Sequence, residues 1–146
     1  MAAMIRQAGP GDEPAVVELV QELAATFGLS TTIDEHYVRH FLASPVSDVL
    51  LAFDENAAVG LLSYAIVPGL FHSADSGIIE SLVVKEGRRG AGIGEQLLQT
   101  AVRLLEEAGC AEISVSTAAD NEAAQKLYFD AGLTEASVLL EKHIER

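Results

Sequence analysis

One cysteine and no tryptophan occur in 146 residues, and aromatic side chains make up only 5% of the chain. The lone Cys110 excludes an internal disulfide, and no Cys/His group has the spacing of zinc ligands. Stability must therefore come from a hydrophobic core, and a reducing compartment is expected. Cations are scarce as well, with nine Lys and Arg against 22 Asp and Glu for a formal charge of -13. Such a field repels a phosphate backbone, which disfavours nucleic acid as a partner, and attracts cationic small molecules. No stretch approaches the roughly eighteen uncharged apolar residues of a membrane span, and the opening MAAMIRQAG lacks a signal-peptide core. The sequence thus reads as soluble and cytoplasmic. Its 49% apolar and 21% charged residues are those of a globular chain, and its length suits one domain over residues 1–146.

Periodicity supplies the elements. Residues 5–8 form a short strand candidate ahead of Gly9-Pro10-Gly11. Asp12 then stands where it can cap a helix that carries Val16, Val17, Leu19, Val20, Leu23 and Ala24 and stops near Gly28. A second helix is expected over residues 33–42. Residues 49–53 and 58–67 flank Asp54-Glu55-Asn56 as two antiparallel strands. Residues 68–75 have loop composition, and residues 77–84 return to an apolar strand. Ile93, Leu97, Leu98, Ala101, Val102, Leu104, Leu105 and Ala108 recur at helical spacing. A strand over 112–116, a helix over 121–131 and a last strand over 138–141 complete the pattern. The order implies a mixed α/β architecture whose sheet begins antiparallel and gains a parallel crossover around the long helix.

Between the strand ending at Val84 and the long helix lies Arg88-Arg89-Gly90-Ala91-Gly92-Ile93-Gly94. The first amides of a helix have no partner within it, and its dipole favours negative charge there. Glycines at 90, 92 and 94 let the main chain approach a phosphate closely, and Arg88 and Arg89 add charge. A pyrophosphate fits best. A P-loop would place Lys and then Ser or Thr after its glycine, whereas Glu95 follows Gly94. A dinucleotide fold would need G-x-G-x-x-G early in the chain and an acidic residue closing the next strand. A tight turn that needs glycine only for its geometry is the remaining alternative.

Arg89-x-x-Gly92-x-Gly94, preceded by Ile79-Glu80-Ser81-Leu82-Val83-Val84, resembles the acetyl-coenzyme A loop of the GCN5-related N-acetyltransferases (GNAT family). Asn121-x-x-Ala124-x-x-Leu127-Tyr128-x-x-Ala131-Gly132-Leu133 resembles the family's second segment, with Leu133 in place of the usual Phe. The resemblance implies a mixed, mostly antiparallel sheet with helices on both faces and a splayed pair of parallel strands that admits the pantetheine arm of acetyl-CoA. It further implies that the main chain of Leu82, Val83 and Val84 holds that arm and that Arg88, Arg89, Gly90, Ala91, Gly92, Ile93 and Gly94 surround the pyrophosphate. Asn121 would lie near the pantetheine, and Tyr128 would stand beside the sulfur as general acid.

Acetyl transfer needs a neutral amine, yet an alkylamine of pKa near 10 is only about one part in a thousand neutral at pH 7. Glu80 is the candidate acceptor of that proton. Alternation along Ile78, Glu80, Leu82 and Val84 puts it on an apolar strand face, where burial would make it a stronger base. A carboxylate that only orients the ammonium is the alternative. A backbone amide within residues 82–84 would stabilise the developing oxyanion. His72 reads as a solvated loop residue, His36 and His40 lack a third metal ligand, and Cys110 reads as a small hydrophobe. No metal is expected. Acidic Asp34, Glu35, Asp48 and Asp75 near the first helices and the 68–75 loop point to a small cationic amine as acceptor. A protein N-terminus or lysine is the alternative, and a non-catalytic acyl-CoA sensor is the rival of another class. The apolar last strand makes a homodimer conceivable.

Overall fold

The computed structural model describes residues 3–146. Nine elements follow in the order β1 (Met4–Gln7), α1 (Glu13–Thr26), α2 (Glu35–Ala43), β2 (Ser47–Asp54), β3 (Ala57–Gly69), β4 (Ala74–Val84), α3 (Ile93–Glu107), β5 (Glu112–Val115) and α4 (Glu122–Asp130). The strands make one sheet in the order β1-β2-β3-β4-β5. All neighbours are antiparallel except β4 and β5, which run parallel with α3 as their crossover.

Two apolar layers sandwich this sheet. On one face Val16 and Leu19 of α1 and Val38 of α2 pack on Val49, Leu51, Leu61 and Val83. On the other, Ile93, Leu97, Leu98, Ala101 and Leu105 of α3 lie on Leu50, Ala52, Leu62 and Ile79. The 3.6-residue repeat of α3 is what gathers those five side chains on one side. Helix and sheet come close enough that a Cβ on Gly77 would lie 2.8 Å from Leu105 Cδ1, so any side chain there would have to displace Leu105. Leu127 and Tyr128 of α4 and Ala131 just after it pack against the same layer.

Three expectations change. Half of residues 68–75 is strand, since Pro68 pairs with Asp75 and Gly69 with Ala74, and only 70–73 form a turn. Proline is tolerated because β2 pairs with β3 only as far as Ala65, so nothing lies beyond β3 to need its N–H. Residues 138–141 join no strand, and Val138 and Leu140 are exposed. Asp12 sits at the start of α1, but its side chain accepts from the Gly9 amide at 2.8 Å and from Arg6 at 2.7 Å instead of capping the helix.

Candidate active site

The ladder between β4 and β5 has four rungs, from Ser76 with Glu112 to Ile79 with Val115. β4 continues alone to Val84, still paired on its other side with β3, where Val84 meets Gly60. Residues 80–84 therefore have one edge in the sheet and one edge free of strand pairing. Orientation along that edge follows from the Lys85 amide, which donates to Val59 O on the β3 side at 2.8 Å. Successive residues of a strand turn their amides to opposite edges, so the main-chain groups of Leu82 and Val84 face the open side.

Glu80 stands where the strands part. Ser63 pairs with Ser81 and Tyr64 with Ile79, which makes Glu80 the extra residue of a β-bulge. The bulge resets the alternation, so Ile79 and Leu82 join the same apolar layer although three residues apart. Glu80 is exposed, not buried on an apolar face as alternation implied. Bulges re-aim side chains in this way and are common beside active sites.

The glycine turn closes one end of the opening. Gly92 is the N-cap of α3 with φ +83°, and no side chain caps that helix. Its first amides are thus left for solvent or a ligand. A Cβ at Gly90 or Gly92 would meet nothing within 4 Å, so the ground above the turn is open. Gly94 lies against the end of β4 and against α4, since a Cβ there would be 3.6 Å from Val84 Cγ2 and 4.0 Å from Leu127 Cδ2. This packing brings the three segments singled out in the sequence to one place. An open cradle of main-chain donors suits a pyrophosphate.

Both arginines are already engaged. Arg89 turns back along β4, its Nε donating to Val84 O at 2.9 Å and its Nη2 3.6 Å from Glu22. Arg88 Nε lies 3.1 Å from Asp54. Their charge is partly spent on protein carboxylates, which leaves the uncapped amides of α3 as the donors of this turn that no side chain engages. Glu18 and Glu22 were not legible as contributors. Glu18 holds Lys85 Nζ at 2.8 Å and Glu22 accepts from the Glu86 amide at 2.8 Å, so one face of α1 anchors the entrance to the turn. Their four-residue spacing on a helix was the available signal.

Tyr128 is half-buried on α4, and desolvation pushes its hydroxyl pKa above the ordinary value, so it keeps its proton. Asn121 caps α4, its Oδ1 accepting from the Ala124 amide at 3.1 Å. Cys110 is half-buried, and burial first, then the Asp75 charge, pushes its thiol up, as suits an inert side chain. His72 in the turn and Asp75 near the start of β4 stand at the far end of that strand from the parting, and from Ala74 to Glu80 six residues of strand rise about 20 Å. Asp34 is occupied in capping α2, where it accepts from the Tyr37 amide. The acids expected to choose the acceptor are therefore dispersed.

A sheet whose parallel pair opens beside an uncapped, glycine-led helix defines an acyltransferase architecture. Residues 16–132 match the family model described as Acetyltransferase (GNAT) family, and the chain belongs to that family. Over 133 residues it is 29% identical to the N-alpha-acetyltransferase MAK3 of Arabidopsis thaliana, an alignment that covers 90% of this chain and 66% of that protein. The chain thus spans just under two thirds of that relative's length. A putative acetyltransferase from Agrobacterium tumefaciens superposes with a TM-score of 0.86 at 26% identity, covering 97% of this chain and 99% of the other. An aminoglycoside acetyltransferase from an uncultured soil metagenomic sample also superposes at 0.86, with 20% identity over 99% of this chain and 97% of the other, a likeness of fold alone. Members of the family generally use acetyl-CoA. Among the described residues no helix is long and apolar enough to cross a membrane.

Proposed function

We propose that this acetyltransferase moves the acetyl group of acetyl-CoA to a primary amine by direct attack in a ternary complex, with a small cationic amine as acceptor. The observation that carries this reading is the parting of β4 from β5 beside the uncapped N-terminus of α3.

Acetyl-CoA supplies the activated acyl group. The main-chain groups of Leu82 and Val84 pair with the pantetheine arm, the amides of residues 90–94 receive the pyrophosphate, and the amide nitrogen of Asn121 is left to meet the arm. Glu80, exposed at the bulge, takes the proton that the ammonium must lose. As the C–N bond forms and the C–S bond breaks, a main-chain amide within Leu82, Val83 and Val84 meets the developing negative charge. Tyr128 returns a proton to the sulfur. Going from ammonium to amide the nitrogen sheds two protons: Glu80 takes the first before attack and passes it to solvent, and the second, lost as the tetrahedral intermediate collapses, makes good the proton that Tyr128 gives to the sulfur, so one proton is released net. The half-buried thiol of Cys110, its pKa raised by desolvation, takes no part, so no acyl-enzyme forms.

The net charge of -13 favours a cationic acceptor. Because the nearby acids are dispersed, it is the overall field and not a local cluster that supports a small amine. A peptide α-amino group is the second reading, favoured by the likeness to an N-alpha-acetyltransferase. The reading sets the enzyme in the cytoplasm. A panel of polyamines, aminoglycosides, arylalkylamines and peptides, each scored by coenzyme A release with acetyl-CoA present, tests the proposal. Turnover confined to cationic amines supports the first reading, and turnover confined to peptide N-termini replaces it with the second. Binding of acetyl-CoA with no release on any amine would make the chain a sensor.

A further inference from the structure

We propose that Glu22 of α1 is a positioning residue for acetyl-CoA, one that holds the 85–92 turn in the shape that receives the pyrophosphate. The inference rests on the functional reading above and adds to it the group that shapes the cradle.

A turn rich in glycine does not hold its own shape. Gly87, Gly90 and Gly92 all adopt positive φ, and glycine gives up more conformational freedom on ordering than any other residue. Among the described residues, the main chain between Lys85 and α3 makes one hydrogen bond within the turn, from the Arg88 amide to Lys85 O at 3.0 Å. A cradle whose amides must stay free for a ligand therefore needs an anchor from outside itself.

Glu22 supplies it. Its Oε2 accepts from the Glu86 amide at 2.8 Å, and among the described residues it is the one side chain that bonds a main-chain amide of the turn. The same oxygen lies 3.6 Å from Arg89 Nη2, while Arg89 Nε donates to Val84 O at 2.9 Å. One carboxylate thus grips the turn directly at Glu86 and, through Arg89, again just ahead of Gly90. α1 is a firm post for this, because Leu19, one helical turn before Glu22, is buried in the layer that contains Val83. Three quarters of the Glu22 side chain is covered. Glu18 holds only the Lys85 side chain, in an exposed pair of the kind that adds little.

A negative charge is the wrong sign beside a site for an anion, so electrostatics alone disfavours a carboxylate at this place. Geometry accounts for it. The acceptor oxygen fixes the Glu86 amide, Arg89 offsets the charge, and a cradle ordered before the ligand arrives loses less freedom on binding.

Calorimetry with acetyl-CoA on the full chain tests this through two variants. Glu22→Ala removes both acceptor and charge, whereas Glu22→Gln removes the charge and keeps an oxygen for the Glu86 amide. Positioning predicts a Kd weakened about tenfold by alanine, the low end for losing a hydrogen bond to a charged acceptor, and a Kd equal to or tighter than that of the unaltered chain with glutamine. In the ligand-free protein, hydrogen exchange at the Glu86 amide should quicken in the alanine variant and stay slow in the glutamine variant, with circular dichroism alike in all three. Tighter binding by both variants would make Glu22 a mere opposing charge, and weaker binding by both would make its pairing with Arg89 the operative contact. Either result overturns the proposal, as does an alanine variant that binds like the unaltered chain. Failure of the unaltered chain to bind acetyl-CoA is a different outcome, which overturns the functional reading and this inference with it.

Discussion

Ile79 and Val115 form the last rung between β4 and β5, and the next residue of β4, Glu80, is a bulge. The two features coincide, so the carboxylate is delivered at the mouth of the opening and not into the core. Chemistry at that point needs a proton acceptor within reach of an incoming amine, and Glu80 is the side chain the backbone presents there.

Replacing Glu80 with Gln should lower kcat by about a hundredfold, the usual share of a general base, while leaving the KM for acetyl-CoA within a few-fold. The pH dependence of kcat should change with it. Steady-state rates across pH check this, and a profile like that of the unaltered enzyme would reduce Glu80 to a bystander.

Tyr128→Phe should slow transfer by a similar factor and leave the Kd for acetyl-CoA unchanged by calorimetry. Burial raises the hydroxyl pKa, so the proton-donating form persists past the ordinary tyrosine value of about 10 and is lost only as pH rises beyond it. The rate of the unaltered enzyme should therefore show no loss from this group between pH 7 and about 10. A fully active Phe variant would leave Tyr128 a packing residue.

Gly92 and Gly94 should respond differently to alanine. At φ +83° an alanine costs about 1–2 kcal/mol of local strain. Its methyl group would strike nothing, so the expected effect of Gly92→Ala is a distorted turn and an acetyl-CoA Kd weakened by about tenfold, the equivalent of 1.4 kcal/mol. Gly94→Ala meets Val84 and Leu127 at ordinary contact distance and should leave the melting temperature unchanged or slightly higher, alanine being the better helix former.

Asp12 gives the fold an acid limb. Its hydrogen bond to Arg6, then the Gly9 amide and the Arg6 charge, hold its carboxyl below the ordinary value despite opposing desolvation. A depressed carboxyl adds stability that is present above the unfolded value of about 4 and is lost as pH falls through the lower folded value. Because Arg6 is largely exposed, the contribution is only about 1 kcal/mol. Asp12→Asn should lower the melting temperature at pH 7 and narrow the gap between melts at neutral and acidic pH.

What the sequence discloses and what it hides follow a physical line. α3 is legible because its apolar residues repeat at helical spacing and all five buried ones face one layer. The hairpin of β2 and β3 is legible because turn residues separate two apolar runs. The glycine turn and Tyr128 are legible as a pattern, and the packing of Leu127 beside Gly94 shows why the two motifs occur together. Glu80 was misread because alternation assumes an unbroken strand, and a bulge leaves no mark in residue type. Residues 138–141 carry a strand's period yet join no strand, because period reports only local preference and a ladder also needs a neighbour to pair with. The pairing of Arg88 with Asp54 and Arg89 with Glu22 joins residues far apart in sequence, which no spacing rule reaches.

The central claim is that residues 80–84 and the start of α3 hold acetyl-CoA through main-chain groups. Titrating acetyl-CoA into isotope-labelled protein and following every backbone amide by nuclear magnetic resonance tests it most directly. The account predicts that the amides of Leu82, Val84 and residues 90–95 shift together and saturate at one equivalent. Shifts confined to other parts of the molecule, with those amides unmoved at saturation, would contradict it.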